Sequence, residues 1–237
     1  MKGFILAAGM GTRLKPWTDH HPKALVPVRG VPMLERVYNK MRDNGIENIT
    51  INCHHFADQI IEFVEEKGWN ANIVKEEPLL LETGGAILNA APFLEGEEPI
   101  LVHNVDILSD ADFKALEKAY CYNSNDAVLL VSDRESSRKL IFDSDMRLKG
   151  WRNLKTDQYR PEGFKPNGEY KELGFSGIYV ISPSIITEMK KKEWEGRFPI
   201  MDFFLSTLKS LKYYGHTQKN LTLLDIGKPE ALVVVNK

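Results

Sequence analysis

The sequence of residues 6–28 is Leu-Ala-Ala-Gly-Met-Gly-Thr-Arg-Leu-Lys-Pro-Trp-Thr-Asp-His-His-Pro-Lys-Ala-Leu-Val-Pro-Val, and it places a glycine loop directly after a hydrophobic strand. Gly9 and Gly11 have no Cβ, so successive backbone N–H groups of this loop can approach phosphate oxygens. Arg13 and Lys23 add positive charge, and both side chains suit the charged oxygens of a triphosphate. The stretch therefore predicts a nucleoside triphosphate site at the end of the first strand.

Neither of two common phosphate-binding motifs matches this loop. A P-loop requires Gly-Lys-Ser/Thr, which the loop lacks, and the dinucleotide fingerprint requires a third glycine at residue 14, where the chain has Leu14. A bare Gly-x-Gly pair is most often an ordinary turn. Two distant segments accompany this one, however: Asn-Val-Asp at 104–106 and Leu-Asp-Ile-Gly-Lys-Pro-Glu at 224–230. A binding site is therefore the stronger interpretation.

Hydrophobic periodicity predicts strands that alternate with helices. The predicted strands cover 2–7, 48–53, 70–75, 99–103, 127–131, 140–142, 148–151, 173–181, 212–217 and 222–225. The predicted helices cover 33–44, 56–67, 83–91, 110–121, 183–193, 200–211 and 229–236, and the polar stretch 153–172 is predicted to be a mobile loop. This alternation favours an α/β fold with a Rossmann-like mixed, mostly parallel sheet flanked by helices.

Three candidate residues follow predicted strands. Gly9, Asp106 and Asp225 each lie just beyond a strand end. In an open α/β sheet, ligands bind outside the carboxyl ends of the strands. We therefore expect these three residues to share one site.

The bulk composition is that of an ordinary globular protein. The chain has 237 residues, of which 43% are hydrophobic, and a formal net charge of −2, which predicts no affinity for nucleic acid or a membrane surface. The two cysteines, Cys53 and Cys121, have no metal-ligand spacing and predict neither a zinc site nor a disulfide framework. No targeting or membrane-spanning segment is recognisable, so we expect a cytoplasmic protein.

Together, the segments at 6–28, 104–106 and 224–230 resemble the signature of the sugar-phosphate nucleotidyltransferases, enzymes that make an NDP-sugar and pyrophosphate from an NTP and a sugar 1-phosphate. The resemblance extends over nearly the whole chain. It implies a fold of the nucleotide-diphospho-sugar transferase type, and because no linker interrupts the chain we expect one nucleotidyltransferase domain over 1–237. The NTP-binding part is expected over 1–131, and the sugar-binding and sheet-completing part over 132–237.

By this resemblance, Arg13, Lys23 and Asp106 are catalytic: Arg13 braces the β- and γ-phosphates, and Lys23 contacts the phosphates at the reacting end. Asp106 and Asp225 match the metal-binding aspartates of the family, which implies Mg²⁺ as the cofactor. Oxygen ligands suit this ion, which neutralises charge as two anions approach each other. Considered alone, an aspartate at a strand end is commonly a turn or N-cap residue, and a lone cation is commonly on the surface, as we expect for Lys15.

The resemblance also assigns residues to nucleotide binding. They are Leu6, Ala7, Ala8, Gly9, Gly11, Thr12, Glu82, Gly84, Gly85 and Asn104. Gly84 and Gly85 open a predicted helix, where the backbone could approach a flat base closely. A helix-capping turn explains the same two glycines about equally well.

Sugar binding is assigned by resemblance to Glu172, Gly174, Ser176 and Gly177. The alternative for this glycine-rich stretch is a β-bulge, because glycine inside a strand often marks one.

The chain departs from the family pattern at a few positions. Val105 and Lys228 stand where relatives often have glycine and threonine, respectively. No residue matches the second phosphate-binding lysine of many relatives securely, and Lys165 and Lys171 are the candidates.

Within the family, the chain most resembles the uridylyltransferases that act on N-acetylmuramate 1-phosphate in bacterial cell-wall recycling, which implies UTP as the nucleotide. The lactyl carboxylate of that sugar needs cations, and a basic loop offers Arg152, Lys155, Arg160, Lys165 and Lys171. Mannose-1-phosphate guanylyltransferase and glucose-1-phosphate nucleotidyltransferase stay open as alternatives, as does a regulatory module that binds an NTP without turnover. The expected partners are the NTP and the sugar 1-phosphate, with the protein a monomer or homodimer.

Overall fold

A computed structural model describes residues 1–122, 125–227 and 229–235. The strands are β1 Lys2–Leu6, β2 Pro27–Val28, β3 Val31–Pro32, β4 Ile49–Cys53, β5 Ala71–Lys75, β6 Ile100–Asn104, β7 Ile107–Ser109, β8 Ala127–Ser132, β9 Arg138–Phe142, β10 Leu148–Asn153, β11 Gln158–Arg160, β12 Lys171–Ile181, β13 Tyr213–His216 and β14 Leu223–Asp225. The helices are α1 Met33–Asp43, α2 Ala57–Glu66, α3 Glu82–Asn89, α4 Ala91–Leu94, α5 Phe113–Tyr122, α6 Ser184–Lys191, α7 Ile200–Ser206 and α8 Pro229–Val235. Lys228 and Asn236 lie outside the described residues.

The centre of the ten-stranded sheet is parallel. Strands β6, β1, β4 and β5 are neighbours in that order, and Ile5 of β1 lies in register between Ile51 of β4 and His103 of β6. All five residues of β4 are buried, as expected for a parallel strand that is covered on both faces. The carboxyl ends of these strands meet at one edge of the sheet, which brings Asn52 and Asn104 close to the glycine loop.

Antiparallel strands extend this centre on the other side. The 11-residue strand β12 is antiparallel to β6, β8 and β9, and β10 links β9 to β11. The predicted fold class, an α/β fold with a mixed sheet, mostly parallel at its centre and flanked by helices, is confirmed.

Part of the predicted loop at 153–172 is ordered as strand β11, and the two ends of that loop belong to β10 and β12, so that prediction was wrong at 153, 158–160 and 171–172. Trp151 and Arg152 of β10 pair in register with Arg160 and Tyr159, and each arginine lies over the aromatic ring of the facing strand. Cross-strand cation–π contacts stabilise such a short strand in a polar segment. The polar composition of this segment is therefore the reason that strand β11 was not predicted.

The prediction that 222–225 completes the central sheet was also wrong. Strand β14 instead pairs with β7 in a separate two-stranded sheet, in which Asp225 faces Ile107. Strand β7, three residues that begin directly after Asp106, is too short to be recognised by periodicity. The small sheet matters for the site because it places Asp225 beside Asp106.

Two predicted helices were too long. The helix predicted over 83–91 divides at Ala90 into α3 and α4, and Pro92 follows directly in the first turn of α4, where a proline is tolerated. The helix predicted over 200–211 ends at Ser206, where the Thr207 hydroxyl bonds the Phe203 carbonyl and the Tyr213 hydroxyl. Side-chain bonds of this kind compete with continuation of a helix.

Two hydrophobic clusters pack on the two faces of the sheet. Alternate residues of one strand enter different clusters: Ile5 belongs to one with Leu101, and Phe4 belongs to the other with Val102. The helices cover both clusters. In the part of the chain that the structure describes, no helix combines the length and apolar character needed to cross a bilayer.

Candidate active site

The loop after β1 folds back onto Lys23. Gly11 has a left-handed φ of 65°, and a Cβ on it would lie 2.8 Å from Cγ2 of Thr18 and 2.9 Å from Cβ of Lys23. The Thr18 hydroxyl donates to the Gly11 carbonyl at 2.9 Å. Gly11 is therefore required both by its backbone conformation and by the space that the returning chain fills.

Lys23 reaches the end of β6. Its ammonium group donates to Oδ2 of Asp106, and the two side chains are only 13% and 14% exposed. Asp106 follows Val105, whose N–H donates to the Leu6 carbonyl at 3.1 Å. The ends of β1 and β6 thus hold the predicted lysine and the predicted aspartate in one ion pair.

Asp225 and Arg13 converge on the same place, around Gly227. A Cβ on Gly227 would lie 2.6 Å from Oδ2 of Asp106 and 3.0 Å from both Nη2 of Arg13 and Oδ1 of Asp225. The Gly227 N–H donates to Asp225 Oδ1 at 3.1 Å, and the Ile226 N–H donates to the Asp106 carbonyl at 2.9 Å. A glycine is needed here because any side chain would occupy the space between two carboxylates and a guanidinium.

This pair of carboxylates suits a hard cation. Mg²⁺ is usually held in proteins by one or two carboxylates, with substrate phosphates and water completing its octahedron. No cluster of three or more metal-ligating side chains occurs among the residues described, so a bound ion would depend on ligands from outside the protein. The donor set of Asp106 and Asp225 therefore fits Mg²⁺ bound together with a phosphate.

A cavity of about 210 Å³, the first cavity, opens beside this group. It is lined by Leu6, Ala8, Gly9, Lys23, Asn52, Glu76, Leu80, Glu82, Thr83, Asn104, Val105 and Asp106. Of the predicted nucleotide-binding residues, five lie in this lining: Leu6, Ala8, Gly9, Glu82 and Asn104. Ala7, Gly11 and Thr12 lie in the loop behind it.

Five lining residues of the first cavity were not predicted from sequence, and two of them, Asn52 and Glu76, are linked by hydrogen bonds. Asn52 accepts the Ala7 N–H at 2.7 Å and donates to Glu76 Oε1 at 2.6 Å, while Glu76 Oε2 accepts the Leu81 N–H at 2.7 Å. Glu76 is 1% exposed. This chain of hydrogen bonds fixes the glycine loop relative to the segment before α3. The polar residue Asn52 inside the hydrophobic strand β4 was the signal from which these hydrogen bonds could have been predicted.

Gly84 and Gly85 face protein rather than open space. Cβ atoms on them would lie 2.3 Å from Cε2 of Phe198 and 2.2 Å from the Gly196 carbonyl oxygen, respectively. Both N–H groups donate to the Phe198 carbonyl, at 2.9 and 3.2 Å. The expected close approach of these glycines to a base is therefore corrected: they admit the 196–198 segment, and neighbouring Thr83 lines the cavity.

A second cavity of about 260 Å³ adjoins the first, and Thr83 and Asn104 line both. Its lining consists of Thr83, Asn104, Arg134, Ser136, Arg138, Leu140, Trp151, Phe175, Tyr179, Ile200 and Met201. None of the residues predicted for sugar binding lies in this wall. Sequence reasoning missed Arg134, Arg138 and Trp151, because no motif marks the connection after β8 that carries Arg134 or the hairpin of β9 and β10 that carries the other two.

The predicted sugar-binding residues lie close behind this wall. Glu172 accepts from Nη1 of Arg152 at 3.0 Å, and Gly174 leaves room for Arg134, whose Cγ would be 2.7 Å from an added Cβ. Gly177, with a φ of 80°, similarly leaves room for the Asn104 amide, 2.6 Å from such a Cβ. Ser176 is buried, and its hydroxyl bonds the backbone of Ile178, so the expectation that it faces a sugar is corrected.

The strand irregularity between Phe175 and Tyr179 is the β-bulge kept open as the alternative. The basic loop is likewise not a free cationic cluster. Arg152 is paired with Asp157 as well as Glu172, and Arg160 is paired with Asp202 at 2.8 Å. Lys165 and Lys171 line neither cavity.

Comparison with known proteins identifies the family of the chain. Residues 3–163 match the MobA-like NTP transferase domain. The chain belongs to this family. It is 30% identical over 236 residues to an N-acetylmuramate alpha-1-phosphate uridylyltransferase from Caulobacter vibrioides, covering 96% of this chain and 92% of that protein. It is 28% identical over 241 residues to the bifunctional protein GlmU of Methanocaldococcus jannaschii, of which it spans 54%.

Solved structures share the fold. HddC from Yersinia pseudotuberculosis, complexed with GMP-PN, has a TM-score of 0.77 and 24% identity, with 99% of this chain and 97% of that chain covered. A UDP-glucose pyrophosphorylase complexed with UDP-glucose has a TM-score of 0.79 and 18% identity, with 99% and 96% covered. The fold of this MobA-like domain is therefore the predicted nucleotide-diphospho-sugar transferase type.

Proposed function

We propose that the protein transfers a nucleotidyl group from an NTP to a sugar 1-phosphate and releases pyrophosphate. One observation carries the proposal: Arg13, Asp106 and Asp225, from three distant parts of the sequence, surround Gly227, with Lys23 paired to Asp106. Two cations and two carboxylates at the strand ends form a site for phosphates. The family of the chain supports the same reaction class.

In this reaction a phosphate oxygen of the sugar 1-phosphate attacks the α-phosphorus of the NTP, and the bond from that phosphorus to the β-phosphate oxygen breaks. No general base is needed, because a phosphate monoester with a second pKa near 6 is already an anion at neutral pH. Lys23 holds the phosphates at the reacting centre. Arg13 binds the β- and γ-phosphates and stabilises the leaving pyrophosphate.

Asp106 and Asp225 would hold Mg²⁺, the cofactor we propose. When bound, this ion neutralises charge on the approaching anions and orients the phosphates. Lys23 then has two roles, since it balances the charge of Asp106 in the free protein and turns to phosphate when substrate is present.

We further propose that the chain functions as one domain, with nucleotide binding over 1–131 and sugar binding over 132–237. The first cavity suits the nucleotide because it contains Gly9, Lys23 and Asp106. The second cavity suits the acceptor sugar because it adjoins the first and is formed largely by residues after 131. Glu172, Gly174 and Gly177 support it from behind.

For the substrates we propose UTP and N-acetylmuramate 1-phosphate, in a cytoplasmic cell-wall recycling step. Support comes from the relative in Caulobacter vibrioides and from a protein of the same name in Neisseria meningitidis, 40% identical over 118 residues.

A matrix of four NTPs against several sugar 1-phosphates, with pyrophosphate release measured, tests both levels of the proposal. UTP with N-acetylmuramate 1-phosphate is expected to give the highest kcat/KM. A preference for GTP with mannose 1-phosphate, or for glucose 1-phosphate, overturns the substrate and leaves the reaction. NTP binding without product in any combination overturns the reaction and favours a regulatory module.

A further inference from the structure

The charges in the wall of the second cavity have one sign. Among the described residues, Arg134 and Arg138 are the only ionisable groups in this wall apart from Tyr179, and no aspartate or glutamate lines it. The first cavity differs, because Glu76, Glu82 and Asp106 line it together with Lys23. The electrostatic character of the second cavity therefore favours an anion.

Two buried donors in this wall lack a partner among the described residues. They are Nε of Arg134 and the hydroxyl of Tyr179, a residue that is only 1% exposed. A buried polar group without a hydrogen bond costs stability, so most such groups in folded proteins have a partner. Two of them in the wall of one cavity indicate that a ligand completes their hydrogen bonding.

Both groups are suited to donate rather than accept. Arginine Nε can only donate, and burial raises the pKa of Tyr179 far above its usual value, so its hydroxyl keeps the proton. A carboxylate only accepts, and two donors match its two oxygens. Leu140, Trp151 and Ile200 make much of the remaining wall apolar, which suits a carbon skeleton that carries the acid.

The phosphate of the acceptor does not explain these donors. Lys23 and Asp106, where the reacting phosphates bind under the proposed function, line the first cavity and not the second. The two cavities meet at Thr83 and Asn104. A sugar that crosses this junction with its 1-phosphate in the first cavity extends a ring substituent into the second.

Arg134 is held in position more firmly than Arg138. Its Nη2 donates to the Phe175 carbonyl at 2.9 Å, and its stem packs where Gly174 has no side chain. Lys139 donates to the Arg134 carbonyl at 2.7 Å and fixes the backbone there. Arg138, by contrast, is exposed. An arginine ordered before binding loses less entropy when it binds.

We infer that Arg134 and Tyr179 determine acceptor specificity by binding a carboxylate on a substituent of the sugar 1-phosphate. The inference rests on the proposed function, which it deepens by giving the acidic sugar its recognition site. That site replaces the basic loop at 152–171, whose arginines are occupied by ion pairs.

The test compares two acceptors that differ only in the acid: N-acetylmuramate 1-phosphate and N-acetylglucosamine 1-phosphate, which lacks the lactyl ether. With UTP, the wild-type protein is expected to favour the first by roughly 100-fold in kcat/KM, the value of a charged hydrogen-bonded pair. Arg134→Gln should remove most of this preference by lowering only the rate with the acidic sugar. Arg134→Lys should restore part of it, since the charge returns without the planar donor.

Tyr179→Phe separates recognition from folding. It should lower kcat/KM for the acidic sugar by roughly 10-fold, which corresponds to the loss of a single hydrogen bond, and leave kcat/KM for the neutral sugar unchanged. Its melting temperature should be no lower than that of the wild type, because the hydroxyl has no partner in the protein. Arg42→Gln is the matched control for Arg134→Gln, because Arg42 lies on α1 and outside both cavities. It should change neither the preference between the two sugars nor the melting temperature.

The outcomes are distinct. Equal losses with both sugars in Arg134→Gln mean that Arg134 binds the common part of the acceptor, and this overturns the inference while the reaction stands. If no pairing gives product, calorimetric titration with the same two sugar phosphates still decides the point. Binding of the acidic sugar that Arg134→Gln abolishes supports the site, and equal binding of both sugars by the wild type overturns it.

Discussion

Lys23 and Asp106, 83 positions apart in the sequence, form a largely buried ion pair at the carboxyl edge of the sheet. Lys23→Ala removes a cation from the reacting phosphates, so we expect turnover to fall by about 100-fold or more. The matched control is Lys15→Ala, because Lys15 is 60% exposed and pairs with Asp19 in the same loop. Steady-state kinetics and thermal melts of the two variants measure their turnover and their stability. Equal activity in the two variants would contradict the role given to Lys23.

Asp106→Asn and Asp225→Asn each remove one formal charge from the proposed Mg²⁺ site and keep the shape of the side chain. We expect turnover to decrease by at least ~100-fold in each, and the Mg²⁺ concentration for half-maximal activity to rise. Both variants should still fold, since neither residue belongs to the hydrophobic clusters. Near-normal turnover in both at saturating Mg²⁺ would rule out the metal assignment.

Gly84→Ala tests the close packing of α3 against Phe198. The new methyl group would meet Cε2 of Phe198 at 2.3 Å and its carbonyl oxygen at 2.9 Å, so we expect a loss of about 2 kcal/mol or more in the free energy of unfolding. KM for the NTP should also rise, because adjacent Thr83 shifts. Gly163→Ala, at an open position with a φ of +77°, should cost only about 1 kcal/mol. A Gly84→Ala variant as stable as the wild type would contradict the close contact between Gly84 and Phe198.

The buried thiol of Cys53 should make the free energy of unfolding fall in alkaline solution. Burial raises the pKa of its thiol from 9.0 to about 11, so between these pH values the unfolded chain releases a proton that the folded protein keeps. The stability contributed by the neutral buried thiol is therefore complete below pH 9 and declines as the pH rises toward 11. From pH 8 to pH 10 the wild type should lose about 1 kcal/mol more than Cys53→Ala does.

Urea denaturation of both proteins at the two pH values gives this difference, and the buried tyrosines cancel because both proteins contain them. An identical pH dependence in the two proteins would contradict the raised pKa.

The sequence allowed the alternating elements to be predicted because each follows from local periodicity. The residues after strands β1 and β6 could be predicted to meet because the ends of these two neighbouring parallel strands share an edge of the sheet. The pairing of Asp225 with Ile107 needed a three-residue strand that no local pattern marks.

Other features depend on contacts between distant segments. The fit of Gly84 against Phe198 is invisible locally, because a glycine at a helix start has the same appearance whether it admits a ligand or a side chain. Arg134 lies in a polar connection after β8, and only the fold brings it to Phe175 and Tyr179. The basic loop misled for the opposite reason, since sequence composition shows its cations and not the carboxylates that neutralise them.

Under the proposed function, the pairing of β12 separates the choice of acceptor from the phosphate chemistry. Residues 171–173 of this strand pair with the hairpin strand β9, whereas residues 178–181 pair with β6, next to the reacting centre. Substitutions in the hairpin that carries Arg138 and Trp151 can therefore remodel the acceptor cavity while the register on β6 stays fixed. Under the proposed function, changes confined to this hairpin would alter the choice of sugar and leave the phosphate-binding half unchanged.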